Sequence, residues 1–168
     1  ERVTQIAAER NELWLARYGG RISSEWLLPK ALEIAEHAPR VYEAAERIVE
    51  GADWVVWQLT GALARNACAS GYKGTWHKRE GYPSREYLRA LRSGFENLYE
   101  AKIAGPVMAP GTSVGTLEPE MAARLGLRPS TAVAAPILDA HAAVLGGGVG
   151  TPGTFVMNRQ TYMYTGGA

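Results

Sequence analysis

The stretch TAVAAPILDAHAAVLGGG, residues 131–148, decides the fold class. Residues 131–139 form a short apolar run, which reads as a buried strand. Residues 140–147 read as a helix stopped by glycines. A charged residue, Asp139, stands at the junction. Three roles are open to it: helix cap, metal ligand or base. Local sequence favours the cap, because a carboxylate before a helix accepts one of its unpaired N–H groups. Position adds a second reading. In α/β folds ligands gather at the carboxyl ends of strands, so an acid there can face a cleft. One oxygen can cap while the other takes a proton.

Upstream of this junction the chain alternates between helical and extended patterns, which makes the class α/β. Residues 2–16 place Val3, Ile6, Ala7, Leu13 and Trp14 near one helical face. Gly19-Gly20 break the pattern. Ser23 or Ser24 is then expected to cap a second helix carrying Trp26, Leu27, Ala31 and Ile34. Pro39 ends it. A further helix is expected over residues 41–50, with Tyr42, Ala45, Ile48 and Val49 inward. The run GADWVVWQLTG, residues 51–61, is too apolar for a surface element, and its period does not separate buried helix from buried strand. Residues 64–73 have the look of a strand or loop lining a cleft. GTWHKREGYPS is a surface connection. Residues 84–103 read as helix broken at Gly94, and residues 105–117 as a loop with a short strand. Residues 118–125 form a helix closed by Gly126, and residues 153–166 read as one or two strands.

Composition narrows the function classes. The chain has 168 residues, 46% of them hydrophobic and 21% charged, which suits one domain with a real core. Eighteen Lys and Arg stand against 17 Asp and Glu. This balance makes no electrostatic case for nucleic acid or an anionic membrane. No apolar run approaches the roughly 20 residues that span a bilayer. The single cysteine, Cys68, rules out an internal disulfide and fits a reducing compartment, so a cytoplasmic location is expected. The chain starts at Glu1 inside a helical pattern and is read as a piece of a longer protein.

Other motifs carry less. GVGTPG, residues 148–153, matches G-x-G-x-x-G but follows a helix and contains Pro152, so it reads as a helix stop and turn. His37, His77 and His141 have no zinc spacing with one another or with Cys68, and no metal site is expected. His141 reads as a packed or partly exposed helix residue. Lys73, in SGYKGTW, is either a solvated loop lysine or a cation aimed into a polar cleft. Among five tryptophans, Trp26 and Trp76 are the candidates for a ligand platform.

Taken together, SSEW (residues 23–26), DWVVWQLTG (53–61), RNACASGYKGTWHKREGYP (65–83) and DAHA (139–142) resemble the FGGY family of carbohydrate kinases. Within it the resemblance is to the branch that phosphorylates L-ribulose, and it covers about residues 1–157. The resemblance implies part of an actin-like, ribonuclease H-like domain. Residues 1–157 would be the latter part of the sugar-binding domain, and residues 158–168 the start of the linker toward an ATP domain. The implied reaction is ATP-dependent phosphorylation of L-ribulose to L-ribulose 5-phosphate, with Mg²⁺. Asp139 would be the catalytic base. Lys73, and with them Asn66 and Cys68, would contact the ketose. After GTFVM the chain reads NRQTYMYTGGA, without the family's small hydroxyl-rich phosphate turn, so no ATP-binding residue is assigned. The chain alone is expected not to turn over, and a homodimer is entertained as its assembly. The rival expectations are a family member acting on another ketose or polyol, and a non-catalytic carbohydrate-binding module.

Overall fold

The computed structural model describes residues 1–148. The expected turn at 148–153, the strands at 153–166 and the 158–168 linker lie outside them, apart from Gly148. Chain order begins with α1 (Arg2–Glu9), a 3₁₀ segment (Leu13–Tyr18), α2 (Leu27–His37), α3 (Pro39–Ala44) and α4 (Gly51–Thr60). It continues through β1 (Arg65–Asn66), α5 (Ala67–Tyr72), α6 (Arg85–Leu91), α7 (Leu98–Ala101) and β2 (Val107–Met108). β3 (Ser113–Thr116), α8 (Pro119–Leu125), β4 (Ala132–Ala134) and α9 (Asp139–Gly146) complete it.

The main core is helical. Ala7 of α1, Leu28 and Ala35 of α2, Tyr87 of α6 and Phe95 are fully buried together, with Leu98 and Ile103 beside them. Tyr87 donates its hydroxyl to the Val3 carbonyl at 2.8 Å, which ties α6 to α1. Burial pushes this phenol above its ordinary pKa. Tyr82 and Tyr99 stack at 4.1 Å between centroids with their rings close to parallel. The strands pair in twos. β1 and β2 are parallel, Arg65 opposite Val107 and Asn66 opposite Met108. β3 and β4 are antiparallel, with a register shift between Ser113 and Gly115.

Several expectations are corrected. The first helix stops at Glu9, because Asn11 takes a left-handed φ of 54°. The chain then restarts as a 3₁₀ turn, and Leu13, placed on the core face by period, is 89% exposed. Ser23 accepts the N–H of Glu25 at 3.3 Å in the turn before α2, whose own N-cap is Trp26. The helix expected over 41–50 starts earlier and ends at Ala44. Its second half is claimed by tertiary bonds: Ile48 donates to the Lys102 carbonyl at 2.8 Å, and Lys102 Nζ donates to Ala45 at 2.6 Å.

Residues 51–60 are helix, but not buried all round. Asp53, Val56 and Thr60 face inward, while Trp54 is 52% exposed. Residues 105–117 hold two short strands instead of one. The expected buried strand at 131–139 is only Ala132–Ala134, with both alanines exposed. Pro136 has no N–H to extend the ladder. The break at Gly94 and the left-handed Gly126 (φ 67°) are where the sequence places them.

Candidate active site

A cleft of about 1230 Å³ opens between the 3₁₀ segment, the start of α2 and α5. Its walls include Tyr18, Trp26, Cys68, Tyr72, Trp76 and His141. Both tryptophans singled out as platforms therefore face it. The aromatic rings run in sequence. Tyr18 meets Trp26 edge-on at 5.3 Å, Trp26 meets Tyr72 at 4.9 Å, and Tyr72 meets His141 edge-on at 5.6 Å. Aromatic faces of this kind suit the C–H faces of a sugar, and the flanking polar groups suit its hydroxyls. Tyr18 also donates to the Gly71 carbonyl at 2.5 Å, which fixes α5 against the cleft wall.

α5 has six residues and an internal glycine, so its own helical propensity is weak. Its ends are tied down instead. Asn66 caps it, the side-chain oxygen accepting the Ala69 N–H at 2.7 Å. Asp53 Oδ1 in turn accepts both the backbone N–H of Asn66, at 3.0 Å, and its side-chain amide, at 2.7 Å. Asp53 and Asn66 are 2% and 1% exposed. Burial pushes the Asp53 carboxyl above its ordinary pKa, against the pull of the Asn66 hydrogen bonds and the Arg65 charge. Burial also lowers Arg65, whose guanidinium donates to the Ala104 carbonyl at 3.5 Å.

The four residues picked from sequence therefore separate. Cys68 lines the cleft. Asn66 is buried, its amide spent on Asp53 and on the cap, so it supports α5 instead of reaching the cleft directly. Lys73, the C-cap residue of α5, is half-buried and pairs with Glu50 at 3.3 Å on the α4 side. Asp139 is exposed in the first turn of α9, and its Oδ1 accepts the Ala140 N–H at 2.7 Å. The expected cap is thus displaced by one position: Leu138 is the N-cap and Asp139 the first helical residue. His141, two residues on, brings α9 to the cleft through Tyr72.

Sequence reasoning missed Asp53 and Glu50. Asp53 could have been found as the one charge inside an apolar helical run. Glu50 has no local signal, since its partner is 23 residues away. Among the described residues no three His, Cys, Asp or Glu side chains are grouped to hold a metal ion, and no helix is long and apolar enough to cross a membrane.

No family model matches the chain. It is 50% identical over 159 residues to the ribulokinase of Geobacillus thermodenitrificans strain NG80-2, a match covering 95% of this chain and 28% of that protein. It is 44% identical over 157 residues to the ribulokinase of Mycolicibacterium smegmatis, covering 93% and 28%. Among solved structures, the xylulose kinase of Rhodospirillum rubrum superposes with a TM-score of 0.68 at 23% identity, over 90% of this chain and 30% of that one. The gluconate kinase of Lactobacillus acidophilus gives 0.63 at 16% identity, over 83% and 27%. These matches bear out the FGGY resemblance and the α/β sugar-kinase fold. By sequence the chain is similar to ribulokinases, spanning about 28% of their length, and its fold is that of the corresponding part of the xylulose and gluconate kinases.

Proposed function

We propose that this chain serves an enzyme that phosphorylates L-ribulose with ATP, giving L-ribulose 5-phosphate and ADP, and that Asp139 is its base. The observation that carries the reading is the 50% identity to a ribulokinase across nearly the whole chain. The chemistry follows from the groups present. A sugar hydroxyl is a poor nucleophile at neutral pH. A carboxylate within about 2.6–3.2 Å accepts its proton as the oxygen bonds to the γ-phosphorus and the bridge to ADP breaks. Asp139 is suited to this by its exposed place at the head of α9, the helix whose His141 meets the aromatic wall. Cys68 and the aromatic rings would hold the ketose, and Lys73 would orient its oxygens by charge-assisted hydrogen bonds. Mg²⁺ supplies charge neutralisation in phosphoryl transfer, and among the described residues no three His, Cys, Asp or Glu side chains are grouped to hold it.

The test is a coupled ADP-release assay on the protein of the complete reading frame. Asp139→Asn is expected to lower kcat about 10²- to 10⁴-fold with the sugar KM little changed. A variant that keeps the parent rate sinks the assignment. The fold is shared with xylulose and gluconate kinases. The same assay run on a panel of ketoses, polyols and gluconate therefore decides the sugar: L-ribulose should give the highest kcat/KM.

A further inference from the structure

Lys73 is placed by something the ketose reading leaves out. Its ammonium lies 3.3 Å from Glu50 Oε2, in a pair that is partly buried on both sides. Glu50 is the N-cap residue of α4, yet its side chain makes no hydrogen bond to that helix. The carboxylate pairs with Lys73 instead. One turn further along α4, Asp53 grips Asn66, which caps the other end of α5. Two acids on one helical turn thus hold the two ends of a six-residue helix that is too short to hold itself. Arg65 is a second cation in the field of Glu50, but it is buried among Asp53 and backbone carbonyls.

We propose that Glu50 is a positioning residue: its carboxylate holds the Lys73 ammonium at the C-terminal end of α5 while Asp53 holds Asn66 at the start, so α4 sets the aim of Lys73 toward the ketose. A lysine carries its charge on a flexible four-carbon stem, and an unpaired ammonium samples many rotamers. One carboxylate occupies one of its three donors and narrows that range, leaving two donors for sugar oxygens. This rests on the reading of Lys73 as a ketose contact.

The experiment has two arms on the protein of the complete reading frame. The first needs no sugar. The amides of Lys73 and Gly74 both donate to the Ala69 carbonyl, at 2.8 and 3.1 Å. Glu50→Gln is expected to speed their hydrogen exchange about 5-fold or more while the amides of α2 keep their rates. The second arm is kinetic. Glu50→Gln should raise the L-ribulose KM about 5- to 20-fold, leaving the ATP KM and melting temperature unchanged. In a Lys73→Met background the same change should add less than about 2-fold, since its target is gone. Unchanged exchange overturns the proposal. So does a KM effect that persists without Lys73, or a KM that falls, which would make Glu50 a competitor of the sugar. If the parent protein does not act on L-ribulose, the ketose reading fails, and the exchange arm alone decides whether Glu50 holds the end of α5.

Discussion

Asp53 carries the balance of this site in a single group. It is almost wholly buried, accepts two hydrogen bonds from Asn66, and still has its pKa raised, so desolvation outweighs its donors. The folded state therefore keeps this proton to higher pH than the unfolded chain does. Stability from the group is complete below the ordinary carboxylate range and declines as pH rises from there through the raised folded value. Asp53→Asn removes the titration and keeps an oxygen for Asn66. Urea unfolding of both proteins between about pH 3.5 and pH 7 should show the parent losing stability relative to Asp53→Asn as pH increases. A parent that gains ground with pH would mean that the Asn66 bonds outweigh burial.

At the scale of elements, the segment around α5 shows which parts of the site the sequence could disclose. The cleft-facing Cys68, Trp26 and Trp76 were legible, because small residues and aromatics beside loops are local signals, and Asp139 was legible as a helix-start acid although β4 stops at Ala134. The pairing of Lys73 with Glu50 and of Asn66 with Asp53 was not, because no period in residues 65–73 records a partner at residue 50 or 53. The short helix at 39–44 has the same explanation, since Lys102 and Arg47 bond the backbone of a different element. Glycines after α5 make the packing testable. A Cβ at Gly74 would meet the Ser70 carbonyl oxygen at 2.9 Å, and that oxygen is fixed backbone. At Gly71, inside α5, it would meet the Trp76 oxygen at an ordinary 3.5 Å. Gly74→Ala is expected to destabilise by about 1–3 kcal/mol. Gly71→Ala should be neutral or stabilise by up to about 1 kcal/mol through helix propensity. Equal effects in guanidinium unfolding would show that the turn after α5 adjusts freely.

Across the whole molecule, burial is uneven in a way that predicts how it opens. The contiguous core joins α1, α2, α3, α6 and α7 around Leu28, Tyr87, Phe95 and Leu98. α4, β3, β4 and α8 bury only Val56, Leu117, Ala122 and Ala135 among their apolar side chains and the loops between them, all outside that cluster. Small side chains remove little apolar area from water, so this second group holds together by less hydrophobic free energy. Its pairing rests largely on backbone bonds such as Leu117 to Thr131 at 3.1 Å and Ala135 to Thr112 at 2.7 Å. Such a region opens below the global unfolding free energy. Native-state hydrogen exchange should therefore give two tiers, with the Leu117 and Ala135 amides exchanging through smaller openings than those of Leu32 or Ala35 in α2. Phe95→Ala, which empties a fully buried site, is expected to cost about 3–5 kcal/mol and to speed α2 exchange accordingly. The Leu117 and Ala135 amides should keep their rates in that variant, because their opening leaves the Phe95 cluster intact. A single exchange tier that shifts as one with Phe95→Ala would show that the strand pair and the helical core unfold only together.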